Sequence, residues 1–165
     1  AITTIPKIPN PSEVKEIVFQ VGLNDLRQGA MAKEVQERVL DMQLKYYKAF
    51  PNARQHITAL PPLDNKHVVT NKLLQKLSSY TESNFVSTKV FQDKTTGKMR
   101  TNTMNGFHYS AEWGIKILAK EMKKSLFSKA NTSNKQLETI YSISTSSSPN
   151  QTNETPEQSL RSQRQ

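Results

Sequence analysis

The sequence predicts an α/β domain: a parallel sheet with helices on its faces, in a three-layer α/β/α arrangement, followed by a disordered polar tail. Three observations predict it. Short apolar runs alternate with stretches of helical period in the order β-α-β-α-β-α, and strands separated by helices run parallel. The helical stretches each carry an apolar stripe on one side. After Phe127 the composition shifts to Ser, Thr, Asn and Gln with few apolar residues, too little to bury enough surface to order a chain.

Residues 1–14, with Pro6, Pro9 and Pro11, form an irregular lead-in. Lys15 to Val21 contains Ile17-Val18-Phe19 and Val21 and ends at Gly22, the pattern of a buried parallel strand. Residues 31–49 place Val35, Val39, Met42, Tyr46 and Ala49 on one helix face, with Glu34 and Arg38 spaced to pair and Pro51 as the stop. A second strand is expected over 56–60, closed by Pro61-Pro62. Asp64-Asn65 then caps a helix over 66–80 whose face is Val69, Leu73, Leu77 and Tyr80. Phe85 to Phe91, rich in β-branched and aromatic residues, gives the third strand. A polar loop over 93–103 leads to a last helix capped by Ser110, with Ile115, Leu118, Met122 and Leu126 as its stripe. The domain is thus expected over 15–127 and the disordered tail over 128–165.

The chain has 165 residues, enough for one domain, and a formal charge of +9. Residues 1–127 hold 19 basic against 11 acidic side chains, so the basicity belongs to the expected domain. A basic domain can bind nucleic acid or another anionic partner, and a solvated lysine surface accounts for the same count. There is no cysteine, which excludes disulfides and thiol chemistry. His56, His67 and His108 lack metal-ligand spacing, so neither metal nor cofactor is expected. No apolar run is long enough to span a bilayer, and the first residues lack the layout of a signal peptide. The default localisation is cytoplasmic or nuclear.

Two short strings carry chemistry. Gly22-Leu23-Asn24-Asp25 follows the first apolar run, and Asn105-Gly106-Phe107-His108 precedes the last helical stretch. In an open α/β sheet ligands bind beyond the carboxyl ends of the strands. Asn24 lies just past the first strand and His108 between the third strand and the last helix, so both are expected at that rim. In this order the strings resemble the third and last conserved blocks of the SGNH (GDSL-type) esterase and lipase family, written Gly-x-Asn-Asp and Asp-x-x-His. The resemblance covers residues 15–127, the carboxyl-terminal portion of such a domain. It implies a flavodoxin-like parallel sheet and hydrolysis of a small acyl ester by a Ser-His-Asp mechanism. Asn24 would then donate to the oxyanion, with Gly22 and Asp25 in support, and His108 would be the general base. Asn105 stands where the family has the acid that orients the base. The serine block, Gly-Asp-Ser, has no counterpart in the chain.

Magnitudes set what remains. One oxyanion donor is worth ~10²–10³ in rate, and an Asp-to-Asn change in a serine-protease triad cost ~10⁴. Without a nucleophile no acyl-enzyme forms. The resemblance therefore implies a hydrolase fragment that is inactive by itself. The rival expectation is a non-catalytic binding module, a pseudoenzyme that contacts nucleic acid or a protein through its basic surface. In the family's sheet, of order 2-1-3-4-5, the strand bearing the serine would pair with Ile17–Val21, so that strand is expected to be an exposed edge able to recruit another chain. His56 and His67 match no family role and are expected to be ordinary surface or strand-end residues. Tyr109 and Trp113 are expected to pack.

Overall fold

A computed structural model describes residues 5–87, 95, 103–104, 108–109, 114–128 and 134–146, with backbone pairing alone for 103–104 and 108–109. Three parallel strands form the central sheet: β1 (Glu16–Phe19), β2 (Arg54–Thr58) and β3 (Asn84–Val86), in the order β1-β2-β3. Ile17 lies opposite Gln55, Phe19 opposite Ile57, and Ile57 opposite Phe85. Among the described residues five α-helices accompany the sheet: α1 (Leu23–Arg27), α2 (Ala32–Ala49), α3 (Asn65–Tyr80), α4 (Gly114–Leu126) and α5 (Lys135–Ser146). Between β3 and α4 a two-stranded antiparallel hairpin pairs β4 (Thr103–Met104) with β5 (His108–Tyr109). The molecule is a mixed α/β fold, as the alternation of patterns predicts.

Neighbouring residues of a strand point to opposite faces, and β2 shows what each face meets. Ile57 enters the core with Leu26, Val35, Val39, Leu60, Leu74 and Leu77, supplied by α1, α2, α3 and the loop after β2. Gln55, on the same side, donates to the Gln43 carbonyl of α2 at 3.0 Å. Arg54 and His56 face the other way and bond to Leu126 and Ser125 of α4. The sheet is therefore sandwiched, with α2 and α3 on one side and α4 on the other. Each fully buried aliphatic side chain of that core contributes ~1.5–3 kcal/mol.

The helix over 31–49 forms with the expected face: Val35, Val39 and Met42 are buried, and Tyr46 meets Phe19 edge to face at 5.3 Å. Glu34 and Arg38 do not pair. Glu34 accepts from the Met31 N–H at 2.6 Å and Arg38 reaches back to Asp25, because the first-turn N–H groups are the unsatisfied ones. The second strand begins two residues earlier than expected, at Arg54, which moves His56 from the strand's start to its middle. On α3 the buried stripe is His67, Thr70, Leu74, Leu77 and Ser78, whereas Val69 and Tyr80 are 40% and 59% exposed. The helix turns its more polar side inward because those groups find partners: Thr70 and Ser78 hydroxyls donate to the Lys66 and Gln75 carbonyls. On α4 Leu118 is buried as expected, but Ile115 is half exposed. The third strand is described only over Asn84–Val86; Lys89, Val90 and Phe91 lie outside the described residues, as does Ser110.

The expected disordered tail is corrected in part. Residues 135–146 form α5, in which Leu137 is fully buried. Tyr141 meets Tyr47 of α2 at 6.2 Å, and the Asn134 amide donates to the Pro51 and Ala53 carbonyls at 2.7 and 3.1 Å. A composition poor in apolar residues still orders where a few of them cover an existing helix face. Among the described residues no helix is long and apolar enough to cross a membrane.

Candidate functional site

The carboxyl-terminal rim begins where β1 ends. Gly22 caps the N-terminus of α1 with φ +103°, a backbone conformation that side chains with a Cβ rarely adopt. A Cβ on Gly22 would also stand 2.7 Å from Val35 Cγ1 and 3.7 Å from Leu60. The chain can turn here, close against α2, only because this residue is glycine. The turn presents Asn24 to solvent, while Asp25 is half-buried and held by Arg38 of α2. Gly22, Asn24 and Asp25 are thus brought together on one short helix beyond the sheet's carboxyl edge, where the spacing predicts them.

The neighbouring loop after β2 is clamped by one side chain. Asn71 of α3 accepts from the Leu60 N–H at 2.7 Å and donates to the Leu60 carbonyl at 2.8 Å, which satisfies both backbone groups of a residue that is 2% exposed. Lys66, in the first turn of α3, reaches the Leu26 carbonyl of α1 at 3.4 Å. The rim therefore has a rigid floor built from α1, the Leu60 loop and the start of α3.

His108 occupies a different setting from the expected loop. Its backbone lies in β5, opposite Met104, in a hairpin that belongs to a separate sheet from β1-β2-β3. Asn105, the residue at the expected acid position, lies outside the described residues, and so does Trp113.

The other two histidines are not ordinary surface residues, contrary to expectation. His67 is 5% exposed and His56 is fully buried. At the start of α3, Asp64 is the N-cap: it accepts from the His67 N–H at 2.9 Å and from His67 Nδ1 at 2.7 Å. The His67 side-chain and backbone hydrogen bonds hold the Asp64 carboxyl below the usual carboxylate range. The spacing Asp-x-x-His is intact here, but His67 Nε2 is buried without a hydrogen-bond partner, so the pair orients an imidazole that is closed to solvent. The sequence signal was the acid three residues before the histidine at a helix start.

At the opposite end of the sheet a second polar cluster surrounds His56. Its Nε2 lies 2.7 Å from Glu16 Oε2, and its Nδ1 lies 2.8 Å from Ser125 Oγ and 3.3 Å from Asn84 Nδ2. Arg54 donates to Glu16 through Nε at 2.8 Å and through Nη2, and reaches the Leu126 and Ser128 carbonyls at 3.1 and 3.4 Å. Glu16, Arg54 and Asn84 open their strands, so this cluster sits at the amino edge, away from Asn24. Nothing in the sequence flagged it, because its members are spread over more than 100 positions and meet only through the fold. Among the described residues no group of three or more His, Cys, Asp or Glu could hold a metal ion.

No family model matches the sequence, and no curated protein matches it.

Proposed function

We propose that the chain is the carboxyl-terminal part of an SGNH-type domain that hydrolyses a small acyl ester, and that it is inactive through this rim alone. The observation that carries the reading is the turn at Gly22. A positive-φ glycine pressed against Val35 and Leu60 sets Asn24 beyond the first parallel strand, the place an oxyanion donor needs. The strand order supports it. β1 is an edge of the three-stranded sheet, and the serine-bearing strand of the complete domain would pair there. His108 supplies the general base in this reading, and Asn105 leaves that base without its orienting acid.

The test is the parent transcript upstream of Ala1, followed by assay of the longer product. An in-frame Gly-Asp-Ser block is expected. In the longer protein, Asn24→Ala lowers kcat for a small ester by ~10²–10³, and His108→Ala removes turnover of that ester. A transcript that starts close to Ala1 with no serine block refutes the reading.

A second reading is a binding module for nucleic acid. One observation favours it: Lys116, Lys120 and Lys123 of α4 are exposed along a single stripe, and none forms an ion pair among the described residues. Binding of single-stranded RNA that weakens steeply between 50 and 200 mM salt (about a tenfold change for each two or so phosphates contacted) supports it. Absence of retardation at low salt removes it.

A further inference from the structure

We propose that Ser125, His56 and Glu16 form a second, self-contained nucleophilic site, one that can be acylated by small esters of the activated kind. Ser125 Oγ lies 2.8 Å from His56 Nδ1, and His56 Nε2 lies 2.7 Å from Glu16 Oε2. These are the two hydrogen bonds that define a serine–histidine–acid triad, which is recognised by geometry and not by chain order. The two ring nitrogens are exchanged relative to the serine-protease arrangement, but each has the partner its role requires.

The tautomer follows from the third contact. The Asn84 amide nitrogen, 3.3 Å from Nδ1, can only donate. Nδ1 is therefore the acceptor and Nε2 carries the proton, donated to Glu16. The basic nitrogen faces the serine hydroxyl, and the carboxylate stands ready to stabilise the imidazolium. Arg54 fixes Glu16 from the far side and also neutralises the carbonyl end of α4, which would otherwise oppose negative charge on Ser125. Glu16 and Arg54 are positioning residues; Ser125 and His56 touch the reacting atoms.

Ser125 opens on a cleft of about 340 Å³, lined also by Asn84, Phe85, Lys124 and Ser128. That volume lies near the lower end for small-molecule sites and sets the substrate class as a short acyl ester. The Asn84 amide is the donor nearest an oxyanion; the Lys124 ammonium on the same wall is paired with Glu121 at 2.5 Å, whose carboxylate also lines the cleft. In the step, the Ser125 oxygen bonds to the ester carbonyl carbon while its proton passes to His56 Nδ1. The carbon–alkoxy bond then breaks, and the same proton leaves with the alcohol. Water, deprotonated by His56, releases the acid and restores the serine. Ester and water go to acid and alcohol, with no other reactant.

The whole chain is treated with a fluorophosphonate, and the adducts are mapped and timed by peptide mass spectrometry. Ser125 is expected to label at least 100-fold faster than the serines at 146–148 of the same molecule, which serve as the internal reference. The excess is expected to vanish in 8 M urea. His56→Gln is expected to slow Ser125 labelling by ~10²–10⁴, the range for a lost general base. If that variant does not fold, the ratio within the native chain decides alone. Labelling of Ser125 no faster than the serines at 146–148, or no adduct at Ser125, overturns the proposal.

Discussion

Gly22 offers a test in which two physical terms can be separated inside one molecule. Gly22→Ala meets both a positive φ of +103° and a methyl group 2.7 Å from Val35 Cγ1. Gly29 has a nearly equal φ of +97° but nothing within 4 Å of where its Cβ would stand. Gly29→Ala therefore reports the backbone strain alone, ~1–2 kcal/mol. Gly22→Ala adds overpacking of a core in which Val35 is 1% exposed, a further ~1–3 kcal/mol. The expected losses are thus ~1–2 kcal/mol at Gly29 and ~2–5 kcal/mol at Gly22. The larger is a substantial part of the ~5–15 kcal/mol that holds a domain together.

Urea denaturation followed by far-UV circular dichroism reads both. With m near ~1–3 kcal/mol/M, the Gly22 variant unfolds at a clearly lower urea concentration than the Gly29 variant, at unchanged m. Pairing Gly22→Ala with Val35→Ala separates the terms again. Shortening Val35 removes the clash and leaves the φ strain, so the double variant is more stable than the two single losses add up to, by ~1–3 kcal/mol. Equal losses at Gly22 and Gly29, or strict additivity with Val35→Ala, would show that the close approach of this turn to α2 is not what requires glycine.

Two further perturbations follow from the same structure. Asp64→Asn keeps an N-cap acceptor but removes the charge that His67 holds. The folded carboxyl titrates below its unfolded value of about 3.9, so its stabilisation is complete above that pH and is lost as pH falls through the folded value. The gap in urea midpoint between wild type and variant is therefore expected at pH 7 and should shrink below about pH 4; a gap that does not depend on pH would count against the charge. Leu137→Ala empties a fully buried site under α5 and is expected to destabilise by ~2–5 kcal/mol, read by the same titration. No change would mean that α5 does not fold with the domain.

The parallel sheet and α2 were legible because their signals are local: an apolar run closed by glycine, and a stripe at helical spacing. The inner face of α3 was not, because its stripe contains His67, Thr70 and Ser78, which periodicity counts as outward-facing. Gln43 and Gln55 escaped for the same reason, although both are buried. Gln43 donates to Thr81 and Ser83 at 3.3 and 3.2 Å, partners that only the fold supplies. Helix α5 escaped because its order rests on what α2 offers it, not on its own composition. At the rim, the turn that presents Asn24 could be read from Gly22 and the apolar run before it. The His56 cluster could not, since hydrogen bonds between residues 16, 56 and 125 leave no mark in sequence spacing.

Helix α4 follows the His108 hairpin in the chain and ends on the His56 cluster, which gives the cluster a bearing on that hairpin whatever its own chemistry. The helix has 13 residues, a rod of ~20 Å at 1.5 Å per residue. Its carboxyl end is fixed by Arg54 on the Leu126 and Ser128 carbonyls and by His56 on Ser125. Its amino end follows the hairpin that carries His108. A helix pinned at one end transmits displacement to the other, because its backbone hydrogen bonds make it stiff between them. Arg54→Met keeps the apolar stem but removes the donor from one Glu16 oxygen, from the Leu126 carbonyl at the end of α4 and from the Ser128 carbonyl just beyond it. It should therefore loosen α4 along its length, with amide exchange rising first around Ser125 and Leu126 and also in β4 and β5. Exchange that rises only at the carboxyl end would show that the hairpin is held independently of α4.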